Sequence, residues 1–360
     1  MIASAAMSHA FQVTQRFLRI SSACALILVV ASNALAAPEP AAPRRAGGGA
    51  YPPKLPEARA EIYKTVGDTK LQLYIFTPKD HAATNRRPAV VFFFGGGWAQ
   101  GSPQQFEKHC QYLASRGLVA ITADYRVSSR HGVKVAQCVS DARSAIRWVR
   151  ANAARLGIDP KRIVAAGGSA GGHLAACTAV LKGFDEAGED KAVSAVPDAL
   201  VLFNPALVLA PIEGRSLAGL EEKFTVERMG AEPAQLSPAH HVKAGAPPTI
   251  IFHGRADTTV PFATAEAFAG KMNAAGNRCE LVGFADQRHG FFNYGREGNR
   301  FFLETLKRMD EFLVSLGYLT GPPTVEKFFG QSRARQRRSA RTVLRGSPTM
   351  ASNTRRRDPG

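Results

Sequence analysis

Two hydrophobic periods alternate along the chain from about residue 59 to residue 319. The stretches Arg59–Val66 (RAEIYKTV) and Lys70–Pro78 (KLQLYIFTP) alternate apolar and polar positions around Gly67-Asp68, the signature of two half-buried strands joined by a tight turn. Later runs are continuously apolar and rich in β-branched and aromatic residues: PAVVFFF (Pro88–Phe94), LVAITADY (Leu118–Tyr125), RIVAAG, DALVLFN, PTIIFHG and CELVGF. Such runs predict strands covered on both faces. Between them lie stretches with apolar residues three and four apart, ending at glycine: Gln104–Gly117, Lys134–Gly157, Ala170–Gly183, Phe262–Gly276 and Phe301–Gly317. Strand–helix alternation of this kind predicts right-handed βαβ units, a mostly parallel central sheet and helices on both faces. The segment from Asn204 to His241 breaks the rhythm and is expected to form a small lid-like insertion over one end of the sheet.

Composition and charge change this picture at the two ends. Arg16 and Arg19 precede the apolar run Ala23–Ala31, and Ala34-Leu35-Ala36 offers an A-x-A cleavage site, so residues 1–37 are expected to be an export signal and the mature protein periplasmic or secreted. The apolar run is shorter than the roughly 20 residues a membrane span requires. Residues 38–50 are rich in Pro, Gly and Ala and read as a linker. A single folded domain is expected over 51–330, followed by a tail over 331–360 that carries nine arginines and one acid, +8 of the formal +17. So few apolar residues and so much charge predict disorder, with weak contact to anionic surfaces. No recognition motif accompanies the charge, so specific nucleic-acid binding is not expected. Cys110, Cys138, Cys177 and Cys279 are widely spaced, without a CxxC or zinc pattern, and are expected to be buried thiols; no metal or other cofactor is implied.

The candidate chemistry sits where the sheet would deliver it. Lys161–Cys177 (KRIVAAGGSAGGHLAAC) sets Ser169 among four glycines, after a strand and before a helix. Gly167-Gly168-Ser169-Ala170-Gly171 fits G-x-S-x-G, a strained strand-to-helix turn that presents a nucleophilic serine. No Lys-Ser/Thr follows, which excludes a nucleotide P-loop. A serine hydroxyl also needs a base and a site for a developing oxyanion. Phe92–Ser102 (FFFGGGWAQGS) follows the first buried strand, so the backbone N–H groups of Gly96 and Gly97, with that of Ala170, are the candidate oxyanion donors. Asp257 and His289 each follow a later strand, giving the order Ser169, Asp257, His289. Asp286, three residues before His289, is the rival acid; His173, His240, His241 and His253 rank below His289 as base.

GGGW, ADYR (Ala123–Arg126), GGSAGG, HGRADTTVP and HGFF together resemble the α/β-hydrolase esterases, above all the hormone-sensitive-lipase-like branch and the acetyl-xylan and feruloyl esterases. The likeness covers roughly Ala60–Leu319 and implies the α/β-hydrolase fold, with Ser169 as nucleophile, His289 as base, Asp257 as orienting acid, and Gly96, Gly97 and Ala170 as oxyanion donors. It implies a carboxylesterase for short acyl, above all acetyl, groups on a small-molecule or carbohydrate alcohol. One departure stands out: that branch carries His where this chain has Phe94, which leaves the geometry of the glycine loop open. Phe94 and Trp98 are expected to crowd the acyl site. Two other readings share parts of the pattern. A prolyl-oligopeptidase-type peptidase has the same triad order but a long propeller segment that this chain does not carry. A catalytically inactive binding module would have little reason to keep all three triad residues.

Overall fold

The continuous apolar runs become the centre of one sheet. The computed structural model describes residues 51–212, 216 and 221–330. The expected export signal, linker and arginine-rich tail lie outside the described residues. In chain order the strands are β1 (Arg59–Val66), β2 (Thr69–Phe76), β3 (Arg87–Phe93), β4 (Val119–Ala123), β5 (Ile158–Gly168), β6 (Ala199–Phe203), β7 (Thr249–Gly254) and β8 (Cys279–Phe284). The helices are α1 (Glu107–Arg116), α2 (Ser128–His131), α3 (Val135–Ala151), α4 (Ala170–Val180), α5 (Val226–Met229), α6 (Phe262–Ala274) and α7 (Arg300–Ser315). The eight strands form one sheet in the order β1-β2-β4-β3-β5-β6-β7-β8. Only β2 runs against its neighbours; β4, β3, β5, β6, β7 and β8 pair in parallel. This is the α/β-hydrolase architecture.

Strand periodicity divides the core into two layers. Val91 and Phe93 of β3 point to one face with Ile121, Ala165, Leu202 and Ile251, where α3, α4 and α6 pack. Val90 and Phe92 point to the other with Ala120, Val164, Val201 and Phe252, under α1 and α7. The chain order reverses its direction of travel at β3: β4 lies to one side of it and β5 to the other. Connections that leave β3 and β5 therefore diverge, and a crevice opens at their carboxyl ends. Phe93 of β3 aligns with Gly167 of β5, and Gly168 with Phe203 of β6. The glycine loop after β3 and the serine turn after β5 thus emerge side by side.

One helix is shorter than its periodicity predicts. The pattern runs to Gly157, but α3 stops at Ala151 and the chain continues as turns. At its C-terminal end Asn152 takes φ −95° and ψ 10°, and both its backbone N–H (3.0 Å) and its Nδ2 (2.9 Å) donate to the Trp148 carbonyl. The four cysteines of the described residues are free thiols, and Cys279 alone is not fully buried.

His109 of α1 packs among Phe92, Phe106, Phe203 and Phe302, and neither ring nitrogen has a hydrogen-bond partner among the described residues. Burial pushes its imidazole down to about 3. The fold therefore favours neutral His109: stability is full above the unfolded value near 6.5 and falls as the pH drops below it, by about 1.4 kcal/mol per pH unit. His109→Leu should raise the melting temperature, and the gain should be larger at pH 5 than at pH 8. Thermal melts at the two pH values check this; an equal or smaller gain at pH 5 would contradict the buried neutral imidazole.

Candidate active site

At the end of β5 the backbone is forced through an unusual conformation. Ser169 has φ 54° and ψ −119°, a region L-residues avoid, and its N–H donates to Phe203 O of β6 (2.8 Å). The glycines around it are required by close approach. A Cβ on Gly171 would lie 2.0 Å from the Phe93 carbonyl oxygen, so the first turn of α4 touches the end of β3 directly. A Cβ on Gly95 would lie 2.9 Å from Gly168 O and 3.3 Å from the Ser169 Cβ, so the loop after β3 lies against the serine turn.

The structure brings the three sequence-predicted triad residues into one hydrogen-bonded line. Ser169 Oγ lies 2.9 Å from His289 Nε2, and His289 Nδ1 lies 2.6 Å from Asp257 Oδ2. The carboxylate fixes the proton on Nδ1, which leaves Nε2 as acceptor for the serine hydroxyl. The Asp257 side chain is fully buried, whereas that of His289 keeps 23% of its surface exposed to the site. Burial by itself raises the Asp257 carboxyl. Bonds from His253, His289 and the Val260 N–H outweigh it and hold Asp257 well below the usual carboxylate range. The amides of Thr259 and Val260 both donate to Oδ1 at 2.9 Å. Asp257 is therefore ionised across the whole neutral range. Asp286 is exposed in a turn at φ 58°, and the Nδ1 of His289 is taken by Asp257.

The lower-ranked histidines have other work. His253 Nε2 lies 2.8 Å from Val260 O and 3.4 Å from Asp257 Oδ2, so it braces the acid loop. His240 contacts Ser237 and Pro211, and His241 contacts Ala234, all inside the insertion. His173, one turn into α4, accepts from Trp98 Nε1–H (3.2 Å) and donates from Nε2 to Leu236 O (2.7 Å). Burial pushes its imidazole down to about 4, against the opposing pull of the Leu236 bond, so it stays neutral and links the glycine loop, the serine helix and the insertion. The sequence offered no signal for this role beyond one histidine at helical spacing from Ser169.

In the glycine loop the Gly95 N–H is consumed by Gln105 Oε1 (2.6 Å). No hydrogen bond among the described residues engages the N–H groups of Gly96, Gly97 or Ala170. Gly96 and Gly97 have φ 125° and 63°, and a Cβ on Gly96 would sit 2.2 Å from Gln100 O. The expected crowding of the acyl site needs correction for Phe94. Its ring is fully buried under the loop, stacked on Tyr125 at 4.1 Å, because an apolar ring at a sheet end gains more from the core than from the mouth. Tyr125 O–H donates to Phe94 O (2.7 Å), and a Cβ on Gly101 would meet the Phe94 ring at 2.6 Å. Phe94 thus supports the loop by contact.

The insertion does close on the loop. Phe224 meets the Trp98 indole edge-on at 6.0 Å, the Arg228 guanidinium lies 5.4 Å from the same ring, and Arg228 Nη2 lies 3.3 Å from Gly97 O. Among the described residues, no group of three or more His, Cys, Asp or Glu side chains is arranged to hold a metal ion, and no helix is long and apolar enough to cross a membrane. The arrangement is that of a serine hydroxyl hydrogen-bonded to an imidazole that a buried carboxylate holds, next to a glycine loop whose Gly96 and Gly97 N–H groups are unengaged among the described residues.

The BD-FAE family model matches residues 73–272, and the dienelactone hydrolase family model matches residues 224–342. The chain is 29% identical over 238 residues to esterase LipC of Mycobacterium tuberculosis, which covers 62% of this chain and 58% of LipC. It is similar to solved structures of Thermogutta terrifontis esterase 2. The form phosphonylated by sarin is 53% identical with a TM-score of 0.73, and the propionate-bound form 54% identical with a TM-score of 0.72. Each covers 76% of this chain and 99% of the other. The chain spans between half and three-fifths of the length of the first curated relatives it matches.

The backbone at Ser169 generates a stability prediction. Relief of such a conformation is worth about 1–3 kcal/mol, against about 0.5–1 kcal/mol for the extra chain entropy of glycine. Both Ser169→Gly and Ser169→Ala remove the hydroxyl, so Ser169→Gly should be the more stable of the two by about 1 kcal/mol. Urea denaturation of the pair checks this; a more stable alanine variant would refute the strain.

Proposed function

The chain belongs to the BD-FAE family, and on that premise we propose that it is a serine carboxylesterase that hydrolyses short-chain acyl esters through an acyl-enzyme. The observation that carries the reading is the unbroken line from Ser169 Oγ through His289 to the buried, ionised Asp257. In the reaction, His289 Nε2 takes the Ser169 proton as the hydroxyl attacks the ester carbonyl. The developing oxyanion lies against the free N–H groups of Gly96, Gly97 and Ala170, at the positive end of α4. His289 then protonates the departing alcohol, and the same base activates the water that frees the acid. Asp257 holds the imidazole tautomer and stabilises the imidazolium that forms.

Support for a short acyl group comes from the relative: solved structures of T. terrifontis esterase 2 are propionate-bound and butyrate-bound. For the alcohol side we assign a cleft of about 440 Å³ lined by Ser102, Gln104, Gln105, Glu107, Lys108, Asn293 and Tyr294, whose amide and charged side chains are able to hydrogen-bond a hydroxylated group. A carbohydrate alcohol, with acetyl as the preferred acyl group, is the substrate class we assign to this cleft.

Three measurements test the reading. Ser169→Ala and His289→Ala should each lower p-nitrophenyl acetate turnover by several orders of magnitude, because triad members act as a unit. Asp257→Asn should cost nearly as much and Asp286→Asn little; the reverse order would move the acid to Asp286. A p-nitrophenyl series should peak at acetyl to butyryl and fall about ten-fold or more per mismatched step beyond. A flat or rising series to octanoyl would point to a lipase-like enzyme. Finally, an organophosphate should add one equivalent to Ser169, as the relative's phosphonylated form suggests; wild-type protein that takes no label is not a serine hydrolase.

A further inference from the structure

Three side-chain amides from three different parts of the chain meet around the triad, and none is a triad member. Gln105 lies just before α1, Asn293 follows His289 by four residues, and Asn204 ends the strand run of β6. Gln105 Oε1 accepts from the Gly95 N–H (2.6 Å), and its Nε2 donates to Asn293 Oδ1 (2.8 Å). Asn293 Nδ2 donates to the Gly290 carbonyl (2.8 Å). The Gly290 N–H donates to Asn204 Oδ1 (3.2 Å), and Asn204 Nδ2 donates to Asp257 Oδ2 (3.2 Å).

The direction of this chain is not free. An amide side chain can be turned end for end, but each of these is fixed by a partner whose polarity cannot reverse. Gly95 N–H requires the oxygen of Gln105, Gly290 O requires the nitrogen of Asn293, and the Asp257 carboxylate with Gly290 N–H fixes both ends of Asn204. Every donor therefore points from the glycine loop toward the triad acid. Asn204 is fully buried at φ 44°, a left-handed conformation that asparagine tolerates better than most residues.

We propose that Gln105, Asn293 and Asn204 are positioning residues that tie the oxyanion loop, the His289 loop and the Asp257 carboxylate into one register. The chain has two consequences for the reaction. Gln105 removes the Gly95 donor, so the amides left facing the site begin at Gly96. Asn204 holds Asp257 Oδ2 and the peptide next to His289 at once, so acid and base keep their separation while the imidazole gains and loses charge. Gln105 and Asn293 also line the cleft assigned to the alcohol, so a group seated there touches the same amides. The inference rests on the esterase reading for its catalytic meaning, but not for its geometry.

The test uses the isosteric variants Gln105→Glu, Asn293→Asp and Asn204→Asp, which keep shape and replace a donor by an acceptor. The charged and titratable groups facing the acid–base pair are Ser169, His253 beside Asp257 and Arg296, whose Nη1 lies 3.5 Å from His289 O; all three are left intact. With p-nitrophenyl acetate, kcat per organophosphate-titrated serine should fall ten-fold or more in each variant while KM changes less than three-fold. In Asn204→Asp the acid limb of the kcat/KM profile should move to higher pH, because a second carboxylate favours the protonated side of the cycle. The double variant Gln105→Glu/Asn204→Asp should lose less than the product of the single losses. Values of kcat per titrated serine within two-fold of wild type, with only the melting temperature lowered, would overturn the proposal. Asn204→Ser serves if the aspartate variant does not fold; it should show the same kcat loss without the pH shift. Amide hydrogen exchange in the wild-type protein needs no turnover: Gly95 and Gly290 N–H should be protected, and rapid exchange at both would remove the chain even if the protein is an active esterase. Unlabelled, inactive wild-type protein with both amides protected would instead sink the esterase reading and keep the geometry.

Discussion

The site depends on how closely two backbones approach at the carboxyl ends of β3 and β5. There the first turn of α4 rests on the carbonyl oxygens of Phe93 and Phe94 with no room for a side chain at Gly171, and Gly95 lies against Gly168 and Ser169. That contact places the serine hydroxyl, the amino terminus of a helix and the glycine loop within one another's reach. It also explains the run of glycines. Those at 95 and 171 are needed for proximity, while Gly96 and Gly97 take backbone angles other residues resist. The sheet order supplies the crevice, and the glycines allow it to be filled by backbone donors.

A second constraint is electrostatic. Asp257 is buried and ionised, which is costly unless its oxygens are fully engaged. Two backbone amides serve one oxygen, and His289 and Asn204 serve the other, with His253 close by. The carboxylate is therefore ready to stabilise an imidazolium without rearrangement, which is where electrostatic catalysis draws its advantage.

The support under the glycine loop shows how one element can be held by different means. From the core side Phe94 stacks on Tyr125, and the Tyr125 hydroxyl donates to the Phe94 carbonyl. On the other side, Trp98 is fixed by the neutral imidazole of His173 and covered by Phe224 and Arg228 of the insertion. The loop is thus clamped between core and insertion.

The sequence by itself determined the eight strands, the five long helices and their alternation, because burial on both faces demands continuous apolar runs and helices demand a 3.6-residue period; the four-residue helices α2 and α5 left no such period. It also singled out Ser169, Asp257 and His289, because a strained turn leaves glycines behind and the strand ends dictate chain order. What it left undecided depended on contacts between distant segments. α3 ended at Ala151, short of the glycine at 157 that the pattern pointed to, Phe94 proved a core residue although it borders the glycine loop, and His173 acquired a role only once Trp98 and Leu236 reached it. Asn204, Gln105 and Asn293 lie 99, 89 and 188 residues apart in sequence and carry no periodicity or motif. Only the tertiary structure could join them, because a hydrogen bond between side-chain amides is set by position in space and leaves no spacing in the chain.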